Sequence, residues 1–230
     1  MFRTLAVTAA FAAFSAVAAA AEAPPNYPGQ AQFRDLYKEL IEIDTTQQHG
    51  SCTTAAQAMA ARLKAAGYAD ADIQILAPAD RPKDGNLIAV LHGSDPKAKA
   101  VMLLAHIDVV EAKREDWVRD PYKLVEEGGY FYGRGTFDDK SMAAVWVDTL
   151  IRLRKEGFRP KRSIKMALTC GEEDGAAFEG ARYLAQHERQ LIDAAFALKE
   201  FAYGVLDARG HRVVMEIEAG EKTDQDYRLE

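Results

Sequence analysis

Two periodicities alternate along the chain from residue 31 onward. Phe33, Leu36, Tyr37, Leu40 and Ile41 recur at helical spacing and predict an amphipathic helix over 31–43. The Ala-rich stretch 51–66 starts on Ser51 and stops at Gly67, which predicts a second helix. A third is predicted over 141–156, closed by Gly157, with Met142, Val145, Trp146 and Leu150 on its core face. A fourth is predicted over 178–187. Short apolar runs predict strands at 73–76, 86–91, 100–105, 163–169 and 194–198. Gly128-Gly129 predicts a hairpin between 123–127 and 130–132. A further strand pair is expected from 211–218 and 226–230, and 106–121 reads as loop. Strands alternating with helices predict a layered α/β domain with no internal repeat.

The candidate chemistry sits where predicted strands end. His106 and Asp108, two apart on an extended chain, share a side. His106, Glu172 and Glu200 each follow a strand, where open α/β sheets place their ligand crevice. If Asp138, Glu172, Glu173 and Glu200 meet there, each carboxylate pair ~5 Å apart repels by about 3 kcal/mol at an effective dielectric of ~20. Two divalent cations would relieve this. One imidazole among hard carboxylates suits zinc, with manganese or cobalt as alternatives. A carboxylate shared by ions ~3.5–4 Å apart is the usual co-catalytic arrangement. Adjacent Glu172 and Glu173 should face different ways, so one can hold metal while the other takes a proton from metal-activated water.

Taken singly these signals are weak: H-x-D occurs by chance, and an acidic pair between glycines is often a solvated turn. The ordered set carries the reading. His49, His92, His187 and His211 are expected to be solvated or locally bonded. Arg134 and Lys140 are expected to balance Asp138 and Asp139. Gly133 and Gly135 read as loop-closing residues, and no G-x-G-x-x-G follows a strand, so nucleotide binding has little support.

Composition narrows the partners. The 230 residues are 48% apolar, enough for a sizeable core, and the net charge of -6 with pI near 5.5 argues against nucleic acid or an anionic membrane surface. Residues 1–21 read as a signal peptide: Arg3, an apolar Ala-rich run and Ala19-Ala20-Ala21 as cleavage site. Residues 22–30 read as a Pro-rich linker. A periplasmic or secreted protein is expected, with no membrane contact after leader removal. Cys52 and Cys170 are far apart in sequence, and we expect separate thiols, neither a ligand in the carboxylate set.

Four motifs then occur in a familiar order: A-H-I-D-V-V at 105–110, Y-G-R-G-T-F-D-D-K at 132–140, G-E-E-D-G at 171–175 and A-L-K-E at 197–200. With them the chain resembles the zinc-dependent metallopeptidase and deacylase family of glutamate carboxypeptidase, aminoacylase, carnosinase and succinyl-diaminopimelate desuccinylase. The resemblance implies a three-layer α/β sandwich with a mostly parallel mixed sheet, like that of phosphorylases and aminopeptidases. It implies two Zn2+ ions, with His106 and Glu200 on the first, Glu173 on the second and Asp138 bridging both beside a cis peptide to Asp139. Asp108 would clamp His106, and Glu172 would be the general base. The implied activity is cleavage of a peptide by an exported dipeptidase or carboxypeptidase. Alternatives are an N-acyl amino acid deacylase or a non-catalytic metal-binding fragment. A solute-binding domain would need a second lobe.

Departures accompany the resemblance. Ser141 stands where the family usually has Gly, and Lys199-Glu200-Phe201 replaces the common N-E-G-G. The family's second metal also needs a later His, and a lid inserted before it carries the homodimer interface. The expected boundaries are a catalytic domain over 31–218 and the start of a lid over 219–230, so the chain reads as a fragment with a weak second metal site.

Overall fold

The protein's structure is a computed structural model that describes residues 27–173, 178–200 and 202–217. The chain divides into two units, 1–30 and 31–230, and the second carries the sheet. The signal-peptide reading, most of the linker and the 219–230 reading lie outside the described residues. Among the described residues no helix is long and apolar enough to cross a membrane.

Helices α1 (Gln30–Glu42) and α2 (Cys52–Ala65) are followed by strands β1 (Ile73–Leu76), β2 (Asn86–Leu91) and β3 (Val101–His106). The hairpin β4 (Val125–Glu127) and β5 (Tyr130–Tyr132) precedes α3 (Lys140–Lys155). Strand β6 (Ile164–Thr169), helices α4 (Gly180–His187) and α5 (Arg189–Ile192), and strand β7 (Phe196–Leu198) follow. A second hairpin, β8 (Ala202–Leu206) and β9 (Arg212–Ile217), completes the described chain.

The main sheet runs β1-β2-β6-β3-β7. Strand β3 is parallel to β6 and to β7, while β2 is antiparallel to both β1 and β6. Four of the five strands therefore point one way. Side-chain alternation makes three layers of this sheet. Leu87, Ala89 and Leu91 of β2, Leu103 and Ala105 of β3, and Met166 and Leu168 of β6 face a core shared with α1, α2 and α3. Their neighbours Ile88, Met102 and Ala167 face the opposite core with Leu184 of α4. Parallel strands need crossover connections, and α3 and α4 supply them.

Several expectations change. The partner of the 212–217 strand is Ala202–Leu206, because a hairpin closed at Asp207–Gly210 brings it alongside. The expected partner, 226–230, lies outside the described residues. Helix α4 starts at Gly180, two residues late, because the Glu179 side chain accepts from the amides of Ala181 and Arg182. The two cysteines are bonded to each other, since α2 packs its first residue, Cys52, against the end of β6.

Tyr68 closes the α3 side of the core. Its buried hydroxyl donates to the Leu150 carbonyl at 3.0 Å, and burial pushes its pKa from 10.0 up to about 12. The folded protein therefore keeps a proton that the unfolded chain releases above about pH 10. Stability linked to this group is complete below pH 10 and falls as pH rises toward 12. Tyr68→Phe should cost about 1 kcal/mol near neutrality. Urea titrations should also show the variant losing less stability than the parent between pH 10 and 12.

Candidate metal centre

The sheet delivers the site from the ends of its parallel strands. His106 is the last residue of β3 and is almost fully buried. Its Nε2 lies 2.9 Å from Asp138 Oδ1, 3.5 Å from Glu200 Oε2 and 3.8 Å from Glu172 Oε2. Asp138 comes from the loop before α3, Glu172 from the turn after β6, and Glu200 from just past β7. Ligand atoms of His106, Asp138 and Glu200 all lie within 4.8 Å of one another.

The other ring nitrogen is held from behind. His106 Nδ1 is 3.1 Å from the Asp108 backbone carbonyl and 3.5 Å from the Asp108 carboxylate. The nearer clamp is thus the carbonyl of Asp108. Its Oδ2 instead accepts from the Glu173 amide at 3.0 Å, which ties the acidic turn to the end of β3. Glu172 and Glu173 do face different ways: Glu172 borders the same space as His106 and Glu200, whereas Glu173 borders a cavity with Asp108 and Thr45. Glu173 is outside the close set of three ligand atoms but near enough to feel Asp138. The peptide between Asp138 and Asp139 is cis, as the resemblance implied.

The electrostatics describe a cluster short of positive charge. Burial opposes charge on His106, but Asp108 and Glu200 win and push its pKa up to about 12. Burial, then Glu200, pushes Asp139 up to about 7. Glu172 and Glu173 are both raised, first by burial and then by surrounding carboxylates. Once a cation displaces the ring proton, the imidazole and three converging carboxylates form a donor set that fits a hard or borderline divalent ion. None of the other histidines joins it. His92 pairs with Asp72, His211 with Asp207, His187 lies against Tyr183, and His49 lies in a loop.

Arg134 and Lys140 do not balance the Asp138-Asp139 pair. Lys140 is fully buried, donates from Nζ to the Ile43 carbonyl at 2.7 Å, and is lowered to about 7 by burial. Arg134 lies 5.3 Å over the Trp117 ring. Both long side chains reach past the acids because the loop turns back at Gly133 and Gly135, which have φ of 158° and 85°.

Residues 102–219 match the model of peptidase family M20/M25/M40, just over half of the chain. The chain belongs to this family. It is 30% identical over 176 residues to aminoacylase-1A of Rattus norvegicus, covering 75% of this chain and 41% of that protein. Human carnosine dipeptidase 1 superposes with a TM-score of 0.58 at 24% identity, over 75% of this chain and 38% of its own. The YXEP protein of Bacillus subtilis, described as a dinuclear metal binding peptidase of the M20 family, superposes with a TM-score of 0.54 at 16% identity, over 76% and 44%. The chain thus spans less than half of each, and the two structures share the fold of its sheet and helices.

One support for this M20 site escaped the motif reading. Asn86, the fully buried first residue of β2, donates from Nδ2 to the carbonyls of Leu76 and Asp84 and accepts at Oδ1 from the Cys170 amide at 3.0 Å. A polar residue heading the apolar run 86–91 was the available signal. Asn86→Ala removes the side-chain partner of that amide and of two carbonyls next to the acidic turn. It should cost about 3 kcal/mol in urea unfolding, the scale of a buried group left unsatisfied.

Proposed function

We propose that this M20 family chain carries the catalytic layer of an exported, metal-dependent amide hydrolase acting on dipeptides, short peptides or N-acyl amino acids. The observation behind it is the convergence of His106, Asp138, Glu172 and Glu200 at one sheet rim. Aminoacylase-1A and carnosine dipeptidase name the two substrate classes, and YXEP names the dinuclear metal.

His106 and Glu200 would hold one ion, Glu173 the other, and Asp138 would touch both. A bound pair of zinc ions supplies Lewis acidity and makes water a nucleophile near neutral pH. The chain's own part is positioning and proton transfer. The Asp108 carbonyl fixes the His106 ring, and Asp108 Oδ2 fixes the backbone of the acidic turn. Glu172 Oε2, 3.8 Å from His106 Nε2, is placed to take a proton at that oxygen and return it to the leaving amine. Its raised pKa favours both halves of that exchange.

With no histidine besides His106 near the cluster among the described residues, the second ion should bind more weakly than the first. Residues 1–21 would direct export to a periplasm or outside the cell, and a lid would follow residue 218. The test is amide cleavage by the purified chain with zinc, manganese or cobalt, scored as released amino acid. Slow, metal-dependent cleavage abolished by chelation is expected. Metal binding with no cleavage under any of the three ions would sink the hydrolase reading in favour of a non-catalytic metal-binding chain.

A further inference from the structure

The disulfide stands beside the catalytic cluster, with a third potential ligand against it. Cys52, Cys170 and Asp108 are all buried, and their sulfurs and a carboxylate oxygen lie within 4.8 Å of one another. The Asp108 side chain is 8% exposed, and its Oδ1 makes no hydrogen bond, with the His106 Nδ1 ion-pair contact at 3.5 Å beside it. A cavity of ≈180 Å³ is lined by all three residues and by Thr45, whose buried hydroxyl also makes no hydrogen bond.

We propose that the reduced chain carries a second metal site, in which the thiolates of Cys52 and Cys170 and the carboxylate of Asp108 take one thiophilic divalent ion. Reduction by a dithiol delivers two electrons and two protons. The S–S bond breaks, two thiols form, and the reductant leaves as its own disulfide. Binding of the ion then releases the two thiol protons to solvent.

Three observations favour an ion over two idle thiols. Two sulfurs on one tetrahedral zinc sit ~3.8 Å apart, given Zn–S bonds of ~2.3 Å. The Cα atoms, 6.0 Å apart on the ends of α2 and β6, allow that by side-chain rotation. The cavity leaves room for the sulfurs to separate and for water as a fourth ligand. Asp108 Oδ1, which makes no hydrogen bond, supplies the third. Two soft thiolates distinguish this site from the harder His106, Asp138 and Glu200 set. Asp108 borders both, so filling one site alters the other.

The test uses cadmium alone as probe on the full chain. The chain is reduced with dithiothreitol and freed of reductant without oxygen. One equivalent of Cd2+ should then produce thiolate-to-cadmium absorption in the ultraviolet, absent from the oxidised chain. Cys52→Ser and Cys170→Ser should each abolish it. Asp138→Ala should keep it, which separates the result from failure of the hydrolase reading. Asp108→Asn should weaken Cd2+ binding by about tenfold or more. The proposal falls if the reduced chain, with two titratable thiols and native far-ultraviolet dichroism, shows no such band. It also falls if reduction itself abolishes that dichroism, or if Asp108→Asn binds cadmium as tightly as the parent.

Discussion

Asp138→Ala should strip the protein of bound metal while leaving it folded. Asp138 Oδ1 is the nearest carboxylate oxygen to His106 Nε2, at 2.9 Å, and the Asp138 side chain is 49% exposed at the mouth of the cluster. Its removal takes away the one carboxylate proposed to touch both ions, leaving His106 and Glu200 for one and Glu173 alone for the other, too few to hold a divalent ion well. The side chain is half exposed, so unfolding free energy should change by about 0.5 kcal/mol. Metal analysis after gel filtration, beside a urea titration, reads both numbers. Retention of one full equivalent of zinc by the variant would mean that the imidazole and Glu200 suffice and that Asp138 is no bridge.

Glu172→Gln should do the reverse. Metal content should stay at the parent value, because Glu172 is farther from His106 Nε2 than Asp138 or Glu200 is. Amide turnover should fall by about 10²–10⁴-fold, the usual contribution of a placed general base. Gln keeps the size and loses the proton acceptor, so kcat should carry the loss and KM should move little. Equal losses of metal and activity would instead make Glu172 a ligand.

Much of the architecture could be read before any coordinate. Short apolar runs such as 86–91 and 163–169 declared strands, because a strand between two helical layers must be apolar on both faces. Helical spacing from Phe33 to Ile41 declared the first helix. His106, Asp138, Glu172 and Glu200 could be named as a set because each follows a strand end or a glycine loop. That their atoms converge within a few ångströms of one imidazole is decided by the parallel register of β3, β6 and β7.

Other features had no local signature. Arg134 and Lys140 look, in sequence, like partners for the neighbouring acids. The fold sends one over Trp117 and the other to the Ile43 carbonyl, because the chain reverses at Gly133 and Gly135. The link between Cys52 and Cys170 joins positions 118 apart.

The amino-acid order by itself determined most of the helices and strands, though not β8, and which side chains have metal chemistry, since periodicity and residue type are local properties. The three-dimensional structure alone decided which of those side chains meet, which cysteines bond, and that the Asp108 backbone carbonyl is the nearer partner of the His106 ring. Those are distances between segments remote in the chain, set by strand order and helix packing, which no short stretch of sequence encodes.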